Sequence, residues 1–133
     1  MAWFEYDQNN SYGKFEIDDV LCHELWIEAE TLEDANRQFL DMGGYFDGVE
    51  AGIDCGCCGD RWSPPYREGK FPLVWDREGT VFNTIEDYIL HLVDMKWSMR
   101  NIYRLFYANG DMREFKKEDG KIIERLVLKS EAA

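Results

Sequence analysis

Residues 22–42 read CHELWIEAETLEDANRQFLDM and join a strand to a helix with almost no turn between them. Over Cys22–Ala29, Leu25 and Ile27 fall on one side and Trp26 on the other, the period of two that a strand requires. Thr31 then stands where a helix N-cap belongs. Glu33 and Asp34 follow in the first turn, where negative charge meets the positive end of the helix dipole. Leu32, Ala35, Phe39 and Met42 recur at helical spacing, and Gly43-Gly44 supplies the stop.

The same helix-start grammar returns at Thr84-Ile85-Glu86-Asp87. Ile85, Tyr88, Ile89, Leu92 and Val93 form the apolar stripe of a second amphipathic helix. Strand-like alternation appears at Trp3–Tyr6, and Lys14–Ile17 reads as its hairpin partner across the turn residues 8–13. Leu73–Trp75 and Thr80–Phe82 read as two short strands about a turn at Asp76–Gly79. Toward the C-terminus, Asn101–Tyr107, Met112–Lys116 and Ile122–Leu128 alternate. Asn109-Gly110 and Asp119-Gly120 between them are residues that tolerate positive φ, so 101–128 predicts antiparallel hairpins. Lys129–Ala133 reads as a frayed tail. The expected fold is one α+β domain over residues 1–133. Two helices pack on antiparallel β-sheet, and a Gly/Pro/Cys-rich segment at 43–72 carries a knuckle loop.

With 133 residues, 45% hydrophobic and 15% aromatic, the chain can build one core. No stretch approaches the roughly 20 apolar residues of a membrane span, and MAWFEYDQNN lacks the basic start and apolar run of a signal peptide. The net charge of −12 is distributed unevenly. Residues 1–66 hold 15 acids against Lys14, Arg37 and Arg61, whereas 67–133 are balanced at 12 and 12. Direct nucleic-acid binding is disfavoured by that field, and membrane association with it. The acidic half is instead expected to dock on a protein partner with a basic surface, through Asp18, Asp19, Glu28, Glu30, Glu33 and Asp34. The many aromatic residues are assigned to the core and to a self-association surface, which leaves a homo-oligomer open.

Cys55-Gly56-Cys57-Cys58-Gly59 is the segment with specific chemistry. Cys55 and Cys58 have the C-x-x-C spacing of a zinc knuckle, whose tight turn aims backbone N–H groups at the sulfurs. A structural zinc needs four ligands. Cys22 or His23 is the expected third; Cys57, Asp60 or a second subunit competes for the fourth, and His91 is read as solvated. Such a zinc would hold a loop whose own apolar residues are chiefly Val49 and Ile53. Packed reduced thiols are the competing reading. There is no phosphate-binding loop, dinucleotide fingerprint or H-E-x-x-H, and Asp7, Asp18 and Asp19 read as solvated. No catalytic residues are assigned, and the expectation is a protein that is not an enzyme.

At residues 1–15, MAWFEYDQNNSYGKF, and 45–62, YFDGVEAGIDCGCCGDRW, the chain resembles small uncharacterised proteins of tailed bacteriophages. These pair a W-F-E-Y-D-Q-N-N-S start with a short helix and a D-C-x-C-C-G-D-R-W segment. Trp3, Glu5, Tyr6, Gln8, Asn9, Asn10, Tyr45, Phe46, Asp54, Cys55, Cys57, Cys58, Gly59, Asp60, Arg61 and Trp62 carry the likeness; Gly56 stands where a Pro is frequent. The resemblance implies a phage protein in the cytoplasm of the infected host and brings no activity with it. It also implies that the cysteine segment acts as a unit, with Asp60 paired to Arg61 and Trp62 covering the knuckle. The leading expectation is therefore an accessory protein that binds a host or phage macromolecule and inhibits a host nucleic-acid-binding or defence protein. The alternatives are a virion or assembly component, and a nucleotide-signal binder or enzyme using Arg61, Arg67 and Lys70.

Overall fold

The strand read at 22–29 forms as β2 (Glu24–Ala29), with Cys22 and His23 just ahead of it. The computed structural model describes residues 1–9, 14–65, 68–71, 73–74, 79–95 and 101–129. β2 lies inside a six-stranded sheet of order β3-β1-β2-β6-β7-β8. Its members are β1 (Ala2–Asp7), β3 (Glu68–Gly69), β6 (Tyr103–Phe106), β7 (Met112–Glu118) and β8 (Lys121–Val127). β4 (Leu73–Val74) and β5 (Val81–Phe82) form a separate two-stranded ribbon. The residues expected to turn between them, 76–78, lie outside the described residues, as do Trp75, Trp97, Arg67 and the end of the tail.

Alternation along β2 builds two cores. Leu25 and Ile27 join Phe4 and Tyr6 on one face, and Ala35 and Phe39 of helix α1 (Leu32–Asp41) cover them. Trp26 joins Trp3, Tyr103, Leu105 and Phe115 on the other, under Ile85, Ile89 and Val93 of helix α2 (Ile85–Asp94). A strand between two layers must be apolar on both sides, which is why Leu25, Trp26 and Ile27 run without a polar break. Both helices start as their caps predict. Thr31 accepts from the Asp34 N–H at 3.1 Å and Thr84 from the Asp87 N–H at 3.2 Å.

The architecture is the expected single α+β domain, with one pairing that the sequence does not signal: β2 and β6 run parallel, while every other described pair is antiparallel. A second difference concerns Lys14–Ile17. It forms no strand, and β1 pairs with β2 and β3 instead. The Gln8 side chain takes the place of the expected ladder. Its Nε2 donates to Glu16 O at 2.8 Å and its Oε1 accepts from the Glu16 N–H at 2.9 Å, as a neighbouring strand's peptide would. Both C-terminal hairpins form; the second turns as read, with Asp119 at φ +51° and Gly120 at +76°, whereas the first is a wider loop over 107–111 in which only Gly110, at +96°, takes positive φ.

Candidate functional site

The cysteine segment closes on itself through short loop bonds. Ile53 and Asp54 N–H groups donate to Gly48 O at 2.8 and 2.9 Å, and Cys58 and Gly59 N–H groups to Cys55 O at 3.2 and 3.1 Å. Val49 and Ile53 are 37% and 49% exposed, so apolar burial inside the loop does not hold it. A buried polar network does. Asp54 Oδ2 accepts from the Arg61 N–H at 2.8 Å, and its Oδ1 lies 3.4 Å from Arg61 Nε and accepts from the Tyr45 hydroxyl at 3.2 Å. Arg61 Nη1 donates to Lys14 O at 2.6 Å and to Gln8 Oε1 at 3.2 Å. Asn9 grips the far side, its Nδ2 donating to Asp60 O at 2.6 Å and its N–H to Arg61 O at 3.0 Å. The two sequence segments that carry the phage resemblance therefore interlock in space.

Two details of that unit differ from expectation. Asp60 does not pair with Arg61; its Oδ1 accepts from the Val49 N–H at 3.0 Å, and Arg61 faces Asp54 and Glu16 instead. Trp62 does not cover the knuckle. It is fully buried against Phe39, ring centroids 5.0 Å apart, and anchors the loop's end in the α1 core. The sequence signal for this network was the isolation of Arg61, a single base among acids and aromatics. Burying a guanidinium demands carboxylate and carbonyl partners, and Asp54, Glu16 and Lys14 O provide them.

The metal candidates divide into two groups. Cys57 and Cys58 are exposed and Cys55 half-buried, and no disulfide links them. The Cys57 N–H, then the Cys58 N–H, hydrogen-bond the Cys55 sulfur and hold its thiol below the ordinary range. Cys22 is fully buried, with its Sγ donating to Glu24 O at 3.1 Å; burial pushes its thiol up to about 12. His23 Nδ1 accepts from the Ile102 N–H at 3.0 Å, and burial, then Arg104, lower its pKa. His91 sits on α2, ring centroid 5.2 Å from Phe82. Among the described residues no three His, Cys, Asp or Glu side chains are gathered as a metal group.

The acidic candidates separate as well. Glu28, Glu30 and Asp34 line a cavity of about 260 Å³ with Asp41, Gln38 and Arg37. A second cavity of about 300 Å³ continues it along Asp41, Met42, Phe106, Tyr107 and Asp111. This groove lies where β2 and β6, running parallel, both end. Glu28 Oε1 accepts from the Ala108 N–H at 3.0 Å and ties its two banks together. Glu33 is exposed on α1 and does not line either cavity. Asp18 and Asp19 are at the opposite end of the sheet. Asp18 Oδ1 accepts from the Val20 and Leu21 N–H groups, both at 2.7 Å, and its carbonyl takes Arg104 Nη1 at 2.7 Å. Asp41 and Asp111 join the groove only through the fold.

A family model described as a domain of unknown function, DUF7296, matches residues 1–125. The chain belongs to this family. No curated protein and no solved structure matches it. Both the Arg61 network and the acidic groove lie inside the part that the DUF7296 model covers. No helix of the described residues is long and apolar enough to cross a membrane.

Proposed function

We propose that this DUF7296 chain is a non-enzymatic accessory protein of phage type, acting in the infected host's cytoplasm by docking on the basic surface of a macromolecular partner. The observation that carries the reading is the groove. Glu28, Glu30, Asp34 and Asp41 share its wall with Met1 and with Arg37, whose Nη1 lies 3.5 Å from Asp34 Oδ1. A lysine or arginine side chain entering between them gains charge-assisted hydrogen bonds in a partly desolvated cleft. A host protein that binds nucleic acid presents such side chains, and occupying them would inhibit it. The nucleotide-signal alternative has less support, because the Arg61 side chain is 5% exposed and committed to Asp54 and Glu16.

The test is association kinetics with the partner captured from host lysate. The association rate should fall about tenfold as salt rises from about 50 to 300 mM. Glu30→Lys with Asp34→Lys should lower it at low salt, and Glu118→Lys should leave it unchanged. Equal sensitivity at both places would show that the acids merely solvate. One observation favours the virion or assembly reading: Ile122, Ile123 and Leu126 of edge strand β8 are 38–46% exposed. Stoichiometric presence of the chain in purified particles would establish that reading instead.

A further inference from the structure

We propose that the knuckle is half of a zinc site, and that two copies of this chain close it, with Cys55 and Cys58 of each supplying four sulfurs to one ion. All four cysteines and both histidines are among the described residues, so the chain's soft ligands can be followed one by one. Cys22 is sealed in the α1 core on Glu24 O, and His23 Nδ1 is taken by the Ile102 N–H. His91 packs by Phe82 on the other side of the sheet. Cys57 is adjacent to Cys58, and chelation by both would strain the turn that the Cys58 and Gly59 N–H groups close on Cys55 O at 3.2 and 3.1 Å. What remains is the Cys55 and Cys58 pair, half-buried and exposed, at the two ends of that turn.

Zinc takes four ligands in a structural site, so two such pairs complete a tetrahedron of thiolates. Asp54, Asn9 and Asp60 hold the loop on both sides of the pair through hydrogen bonds that do not involve the sulfurs. Exposure of Cys57 and Cys58 leaves the approach open to a second copy. Binding releases four thiol protons to solvent, two from each chain, and no electron transfer is involved. Zinc must also overcome repulsion between two chains of net charge −12, with Asp47, Glu50 and Asp60 near the contact. Raised salt therefore strengthens this association, the opposite sign to docking in the groove, and the two proposals stand or fall separately.

The experiment adds Zn²⁺ to the reduced, chelator-stripped chain and follows it by native mass spectrometry and sedimentation. One zinc per two chains is expected, in a dimer that a chelator reverses and that tightens from about 50 to 300 mM salt. Cys58→Ser should lose zinc and dimer together. Cys22→Ser, whose hydroxyl can keep the bond to Glu24 O, should lose neither. A monomer binding one zinc, a chain that takes up none, or a dimer indifferent to Cys58→Ser would each overturn the proposal.

Discussion

Replacing Arg61 by Met should open the cysteine loop while leaving its sulfurs untouched. The guanidinium is 5% exposed; it bonds Lys14 O at 2.6 Å and Gln8 Oε1 at 3.2 Å, and it faces the carboxylates of Asp54 at 3.4 Å and Glu16 at 3.5 Å. Methionine fills much of the volume but leaves the Asp54 carboxylate buried without its cation. Breaking a buried pair in this way costs about 3–5 kcal/mol. A chain of 133 residues has an unfolding entropy of roughly 0.3 kcal/mol/K, so Tm should fall by about 10–18 °C. Asp54→Asn added to Arg61→Met removes the stranded charge and should recover about half of that loss. Thermal unfolding at pH 7 gives the magnitude, and limited proteolysis with mapping of cuts in 48–62 gives the location. In metal-free protein, Cys55→Ser should do neither. A Tm within about 2 °C of the parent, with the loop cut no faster, would refute the claim that Arg61 ties it down.

Two further outcomes concern Gly48 in the same network and Glu24 on β2. A Cβ at Gly48 would overlap Asp54 Oδ2 and the Tyr45 ring, so Gly48→Ala should displace Asp54 from the Arg61 N–H and destabilise by about 2 kcal/mol in denaturant unfolding. Burial, then Glu5 and Asp7, raise the Glu24 pKa to about 8, against the Trp26 indole N–H that lowers it. A carboxyl raised above its unfolded value contributes stability that is complete below about pH 4.3 and is lost as pH rises through about 8. Glu24→Gln, which still accepts from Trp26, should flatten that slope and be the more stable protein at pH 8, by of order 2 kcal/mol after screening at its partly exposed rim.

The elements that were legible are those whose signals are local. Thr31 and Thr84 announce the helices because a cap is decided by the next three residues. Asp119-Gly120 announces its hairpin because positive φ is a property of those two residues. The pairing of Leu25 with Arg104 is of another kind. Nothing near either residue encodes it, since a parallel partner is chosen by which faces bury together after the chain has wandered. The site divides along the same line. Cys55 and Cys58 declare a knuckle by spacing alone, whereas Gln8, Glu16 and Asp54 become partners of Arg61, and Tyr45 of Asp54, only once distant loops meet. Lys14–Ile17 shows how alternation misleads, for the Gln8 carboxamide satisfies the same peptide that a strand would have paired.

The parallel pairing also decides whether the two ends of the molecule influence each other. β2 spans six residues, about 20 Å of strand, with Cys22, His23 and the Arg61 network beyond one end and the acidic groove beyond the other. That separation is more than twice the roughly 8 Å screening length at physiological salt. Charges at the groove therefore have little hold on the knuckle through solvent, and the direct route between them is the packed face of Leu25 and Ile27. Perturbations at the two ends should then add. Combining Cys58→Ser with Glu30→Lys should give the zinc loss of the first and the slower docking of the second, each at its single-variant size. A slower docking rate in Cys58→Ser alone would mean that the partner engages the molecule as a dimer, and would join the two sites through assembly, with no strain carried along the strand.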